Sequence, residues 1–451
     1  MTAPVPPLSR RTIATYAIGS LGTGGFATLP GLVLVYYLTD TLGIAALAAG
    51  VLVTAAKVWD VIIDPVIGAR SDRSLAVRGS RRPFMMLGAL LLPVFFIATF
   101  AVPAGLPPIV SGVWVFLAFL ATATAFSLFQ VPYIALPAEL TEGYDERTRL
   151  LAVRVVVLTV AILLFGAGGP EIRDAFSDEH VGYLVMAVVA GIVIGLGMLV
   201  SSFVAPRGAP TGAVRLSIAQ NYRAGIEALR RSQPFRSLIA TFLLQGLATG
   251  LMLAGAQYVA RWVLGDGVTI LFLSLIAPAL VFAPVWAVIA RRIGKERAFT
   301  IASVLFGVAA LSITLQLWIP GAWLYAPVAL AGAAYAGMQS LPMSMLPDVI
   351  SHDARTHGDG NAGTFGGVWT AGETTGMALG ATVLTIVLAA SGYIESVAGQ
   401  EVTQPGSAIA GIILSFSVVP AVIIFASLAT FLRYPLRKVD VEPSSTRGKA
   451  L

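Results

Sequence analysis

The sequence predicts an all-α membrane protein of twelve transmembrane helices, and three observations predict it. Hydrophobic residues make up 57% of the 451 and charged residues only 12%, about half the charged share of an ordinary soluble domain. Apolar runs of roughly twenty residues recur along the chain, each long enough to cross about 30 Å of hydrocarbon. Basic residues gather in alternate connections, as the positive-inside rule requires of a chain that crosses repeatedly. The period-two alternation of a β-barrel is absent.

In order, the runs cover 12–38, 42–69, 83–103, 109–138, 150–168 and 182–204. After a polar gap come 237–262, 268–290, 298–318, 322–346, 362–390 and 407–432. The first run is too long for a signal-peptide core and ends in Tyr36-Tyr37-Leu38-Thr39-Asp40 rather than a small-residue cleavage site, so it should stay on the mature protein. Arg10 and Arg11 precede it. The even-numbered connections hold Arg70, Arg73, Arg78, Arg81 and Arg82, then Arg147 and Arg149, the arginines between 207 and 236, and Arg291, Arg292, Lys295 and Arg297. The C-terminal tail adds Arg433, Arg437 and Lys438. This asymmetry predicts cytoplasmic termini and a multi-pass location in a bacterial inner membrane. The net charge of +6 then reflects topology, and no nucleic-acid partner is implied.

Cysteine is absent and only three histidines exist, which removes disulfides, thiolate nucleophiles and zinc clusters from consideration. No nucleophile–base pair appears, so an enzyme is not expected, nor a resident cofactor or a metal beyond a coupling cation. The expected partners are a small solute, a monovalent cation and the bilayer, with the chain acting as a monomer.

The longest polar gap divides the chain into six-helix bundles at 1–205 and 237–451, joined by a linker at 206–236. Within the linker Val214, Ile218, Tyr222, Ile226 and Leu229 share a helical face opposite Arg215, Arg223, Glu227 and Arg230, the pattern of an amphipathic helix on the membrane surface. The halves echo each other. Leu136-Pro137-Ala138-Glu139-Leu140 follows the fourth run, and Leu346-Pro347-Asp348-Val349-Ile350 follows the tenth. Two six-helix repeats fit the major facilitator architecture, with a cargo site between the halves near the midplane.

Ionisable groups inside a membrane are costly, so each is a functional candidate. The second run carries Lys57, Asp60 and Asp64, the last two one turn apart on one face. The fifth carries Arg154 and the eleventh Glu373. At about 1.5 Å per residue, Asp60 lies roughly 15 Å deep, Asp64 roughly 9 Å, Glu373 roughly 16 Å, and Arg154 and Gln130 roughly 8–13 Å. Such a layer of acids suits Na⁺, a hard cation wanting oxygen ligands, and it also suits proton coupling.

At these residues the sequence resembles the glycoside–pentoside–hexuronide:cation symporters, the melibiose-carrier-like family of the major facilitator superfamily. The resemblance is carried by Tyr36-Tyr37-Leu38-Thr39-Asp40, by Lys57 through Asp64-Pro65, by Gly68 through Arg73, by Gly79-Ser80-Arg81-Arg82-Pro83-Phe84, and by the Leu-Pro segments of both halves. It implies symport driven by Na⁺, Li⁺ or H⁺, with Asp60 and Asp64 binding the cation and Arg154 lining the sugar site. The family's sugar site also uses an acid in the first helix and another in the fourth. Those positions are Gly24 and Gln130 here, and the family's eleventh-helix lysine aligns with Glu373.

The expected function is therefore cation-coupled import of a small solute, a sugar or glycoside, by alternating access. Substrate contacts are expected from Gly24, Gln130, Tyr133, Arg154, Trp369 and Glu373. A lysolipid or amphiphile transporter on the same fold is the alternative, and a non-transporting assembly factor a third reading. Asp72, Arg73, Arg81 and Arg82, in a loop from Gly68 to Arg82, are expected to form a cytoplasmic gate. Gly372, Gly376 and Gly380 suit close helix packing, with a gating hinge as the alternative, and the Gly22–Gly25 run suits either packing or a close approach of backbone to substrate. His352, Asp353, His357 and Asp359 are expected in a solvated loop rather than on a metal.

Overall fold

The computed structural model describes residues 7–141, 144–206, 218–265, 267–357 and 362–436. The chain forms two compact units. Unit 1 takes Met1–Ile218 together with Ala256–Ile270 and Ala381–Ile409; unit 2 takes Ala219–Gly255, Leu271–Gly380 and Ala410–Leu451.

Unit 1 begins with α1 (Arg10–Ala17), whose N-cap Ser9 accepts from the Thr12 N–H at 3.0 Å. A short break leads into α2 (Ser20–Tyr36). The glycines of α2 let its neighbours approach closely: a Cβ on Gly22 would meet Met198, and one on Gly25 would meet Ile194, both on α7 (Glu179–Ser202). The remaining long helices of this unit are α3 (Ala46–Arg78), α4 (Arg82–Phe100), α5 (Pro108–Leu140) and α6 (Tyr144–Asp174). With 33 residues, α3 is about 50 Å long, well beyond the hydrocarbon thickness. It continues through Arg78 and ends at Gly79, whose φ of 68° closes the helix in the left-handed cap conformation. The segment expected as a loop from Gly68 is thus helix for most of its length. Hydropathy marks where the membrane ends, and helical hydrogen bonding carries on past that point.

The helices of unit 2 are α8 (Ile218–Arg231), α9 (Gln233–Val259), α10 (Val268–Ile293), α11 (Lys295–Ser312), α12 (Tyr325–His357), α13 (Ala362–Ala390), α14 (Gly406–Phe416) and α15 (Val418–Phe431), with the ends of α9, α10, α13 and α14 assigned to unit 1. α13 packs on α9 through its glycines. A Cβ on Gly376 would stand 2.5 Å from the Leu243 carbonyl, and one on Gly380 only 2.3 Å from the Leu251 nitrogen. These glycines are helix-packing positions. α8 begins at Ile218, so Val214 lies outside the described residues; Ile226 is 53% exposed while Gly225 and Ala228 face inward.

Eleven helices among the described residues are long and apolar enough to cross a membrane. The run at 322–346 falls in α12, which is helical but more polar, carrying Gln339 and Ser340 at its middle. The last run is broken at Ser417, three residues before Pro420, where a missing N–H interrupts the helical ladder. Large apolar side chains remain exposed around both units, among them Val51 at 64%, Ile109 at 78% and Val281 at 65%. Water would penalise such surfaces; lipid accepts them.

Candidate functional site

α3 packs along α5 and carries the acidic pair. Asp60 is 7% exposed. Its Oδ2 accepts from Lys57 Nζ at 3.3 Å, while its Oδ1 has no partner. Asp64 lies beside Ser127 of α5 and likewise keeps one buried oxygen, Oδ1, without a partner. Buried polar atoms are nearly always satisfied, so two orphaned carboxylate oxygens one turn apart are a departure that calls for a ligand. Lys57 is drawn aside over the Phe26 ring, 5.3 Å from its centroid. One lysine shared by two acids leaves excess negative charge. Oxygen atoms of that kind are what a hard monovalent cation or a proton takes up.

Gln130 of α5 accepts from the Thr23 hydroxyl of α2 at 2.8 Å. Thr23 escaped the sequence reading, which took the glycines around it as the feature of interest. Gly24 is buried, and a Cβ there would lie 2.7 Å from Ala161 Cβ and 3.0 Å from the Leu158 carbonyl. Its missing side chain lets α2 pack closely on α6.

Tyr133 is fully buried. Its ring stacks between Tyr16 at 4.7 Å and Phe129 at 5.0 Å, and its hydroxyl donates to the Tyr16 carbonyl at 3.0 Å and bonds Ser20 Oγ at 3.0 Å. The Arg154 guanidinium lies 5.3 Å from the Tyr133 ring centroid, with its Nε unpartnered. The Tyr133 ring, expected to touch cargo, packs against Tyr16 and Phe129 and has Arg154 beside it. Trp59 is similarly tied down, donating to Thr124 at 2.8 Å.

In unit 2, Trp369 is 2% exposed and stacks on Phe242 at 4.2 Å. Glu373, one turn further along α13, lies beside Gln339 of α12, which is also close to Tyr335. No cation lies within 4.0 Å of Glu373 among the described residues. Gln339 and Tyr335 were not singled out from sequence, because neutral polar residues in an apolar run carry no charge signal.

The residues expected at the cytoplasmic ends are braced inside each unit. Arg81 is 2% exposed and pairs with Asp72 and, at 2.5 Å, with Glu139, while donating to Ser71 at 2.8 Å. Arg82 stacks on Phe203 at 4.1 Å, and Arg73 is exposed. In unit 2, Lys295 at the start of α11 pairs with Asp348 of the Leu346-Pro347 segment at 2.5 Å. Both repeats thus tie a basic residue opening one helix to an acid in the Leu-Pro segment of the next. His352 and Asp353 lie on helix α12 rather than in a loop. Asp353 is 1% exposed and pairs with Arg231 of α8 at 2.6 Å. The side chain of His357 and residue Asp359 fall outside the described residues.

Comparison with known proteins agrees with this arrangement. The profile of the family described as "MFS/sugar transport protein" matches residues 15–438. The glucuronide carrier protein homolog of Escherichia coli (strain K12) is 26% identical over 444 residues, covering 95% of this chain and 93% of that protein. A putative sulfoquinovose importer of Salmonella typhimurium is 25% identical, covering 88% and 85%. The sodium-dependent lysophosphatidylcholine symporter 1-A of Danio rerio is 23% identical, covering 97% and 87%. Among solved structures, the inward-open xylose transporter XylE from E. coli matches with a TM-score of 0.61 at 13% identity, covering 97% of each chain, which shows the shared fold. With carriers among its relatives and transporters among its structural neighbours, the chain is a multi-pass secondary transporter and not an enzyme, and it belongs to the MFS/sugar transport family of glycoside–pentoside–hexuronide-type symporters.

Proposed function

We propose that this protein imports an anionic sugar or glycoside together with a monovalent cation, Na⁺ or H⁺, by alternating access. The observation that carries the reading is the pair of orphaned carboxylate oxygens on Asp60 and Asp64, one turn apart on α3; Arg154 of α6, in the same unit, carries an unpartnered nitrogen. The acids bind the cation. Arg154, held on the Tyr133 ring, receives the negative group of the cargo in a charge-assisted hydrogen bond. Gln130 engages sugar hydroxyls. Glucuronides and sulfoquinovose, named for two relatives, each carry an acidic group on a sugar ring, and this supports an anionic cargo. The remaining parts of the reading are twelve spans, counting α12, with both termini in the cytoplasm of a bacterial inner membrane, and a monomeric chain of two bundles joined by the 206–236 linker.

The fish lysophosphatidylcholine relative favours a second reading, in which Arg154 meets a phosphate head group. Uptake into proteoliposomes separates the two. Under a Na⁺ or pH gradient, the protein should accumulate a glucuronide and ignore a lysophospholipid. Asp60→Asn should abolish gradient-driven uptake while leaving cargo exchange measurable. Accumulation of lysolipid instead establishes the second reading; uptake indifferent to any cation gradient refutes coupling.

A further inference from the structure

The Tyr37–Thr41 stretch has no part in the site above, yet the structure builds a closed knot around it within unit 1. α2 ends there in a π turn, Tyr37–Thr41, and α9 ends in another, Ala260–Leu264. π turns are rare and recur at functional positions. Asp40 is 4% exposed. Its Oδ1 accepts from the Tyr393 hydroxyl and its Oδ2 from the Thr39 hydroxyl at 2.6 Å. Thr39 has one proton to give, so the Tyr258 hydroxyl, 2.6 Å away, donates to Thr39. Trp262 Nε1 donates to Tyr393 Oη at 2.9 Å. A continuous chain of donors therefore ends on one carboxylate from both sides.

The backbone joins in. The N–H groups of Ser396 and Ala398 donate to the carbonyls of Thr39 and Thr41 at 3.1 and 3.0 Å, and Leu42 pairs with Val397 in an antiparallel bridge. Glu395 accepts from the Ala46 N–H at 2.7 Å, and Glu179 accepts from Thr41 at 3.2 Å. Burial, with Asp40 beside it, holds the Tyr393 phenol well above its ordinary range, so it remains a donor. These contacts join segments up to 357 residues apart, 396 − 39 for Ser396 and Thr39. The rings pack edge to face as well, Tyr258 against Tyr36 at 5.1 Å and against Tyr393 at 5.4 Å, and water can replace each of the hydrogen bonds when the segments part.

We propose that Asp40, Thr39, Tyr258 and Tyr393 form the outer gate of the transport cycle, a latch that seals the cargo path from outside and parts for loading. This inference rests on the transporter reading and on the inside-positive orientation. It gives a task to residues that the cation and cargo sites leave unused.

The chain has no cysteine, so introduced thiols are unique reporters. Residues facing each other in an antiparallel bridge have Cα atoms about 4.5–5.5 Å apart, within disulfide range. Leu42→Cys with Val397→Cys, oxidised, should reduce sugar uptake to background and recover it on reduction, while each single variant transports normally. A second measurement needs no cargo. Thr41→Cys, buried behind the latch, should react with a membrane-impermeant maleimide about tenfold faster when Tyr393→Phe or Asp40→Ala removes a bond to the carboxylate. Uptake at the parental rate by the oxidised pair, or labelling unchanged by both substitutions, overturns the latch. If the parent carries no sugar while labelling still follows the latch, the cargo reading falls and the gate stands.

Discussion

Arg81→Ala should be among the most destabilising single substitutions in unit 1, and the structure gives its size. The side chain is 2% exposed, against 30% for Asp72 and 17% for Glu139. Removing one partner of a buried charge cluster costs about 3–5 kcal/mol, because the charges left behind have lost their compensation. Here two carboxylates are stranded, but both retain some access to water, which lowers the figure to about 3 kcal/mol. At roughly 2 °C per kcal/mol for a large chain, the melting midpoint should fall by about 6 °C. The assay is thermal unfolding of the detergent-purified protein followed by tryptophan fluorescence, with Arg73→Ala as the control. Arg73 is exposed, and its loss should cost less than about 0.5 kcal/mol. Adding Glu139→Gln to Arg81→Ala should recover part of the loss, since it removes one of the stranded charges. Equal midpoints for the two arginine variants would refute the brace.

Three further outcomes follow from the same geometry. Gly380→Ala places a Cβ 2.3 Å from the Leu251 nitrogen, so α13 and α9 must separate; the protein should lose about 1–3 kcal/mol, read by the same unfolding assay. Trp369→Phe should leave cargo affinity unchanged and cost less than about 1.5 kcal/mol, because the indole is packed and its N–H has no partner; a large rise in the uptake KM would restore its cargo role. Lys295→Met should destabilise unit 2 by about 1 kcal/mol, less than Arg81→Ala, since Lys295 is 39% exposed and makes a single ion pair; thermal unfolding compares the two directly.

Much of this was legible in the sequence because lipid imposes simple rules. Apolar runs located the helices, basic connections suggested orientation, and the Leu-Pro repeat at 136 and 346 marked the two halves. Asp60 and Asp64 stood out because charge in hydrocarbon is rare. Other features depend on what lies across a helix contact, and no single run reveals that. Tyr133 and Trp369 looked like sugar platforms by type, yet Tyr16, Phe129 and Phe242 already cover their faces. Gly24 looked like an opening and faces Ala161. The ends of α3 and α12 were drawn too short because polar residues stop a hydropathy run without stopping a helix. The knot at Asp40 was invisible for a simpler reason: its partners are hundreds of residues away.

That separation in sequence has a consequence for biogenesis. The Arg81–Glu139 brace joins residues 58 apart and Lys295 reaches Asp348 across 53, so each can form soon after its segment leaves the ribosome. The bond from Tyr393 to Asp40 spans 353 residues and must wait until most of the polypeptide has been inserted. Short-range contacts form early and long-range ones late. Sealing the outer mouth is therefore a terminal event of assembly, and a nascent or truncated chain lacking its last helices holds the inner braces with nothing to close over Asp40.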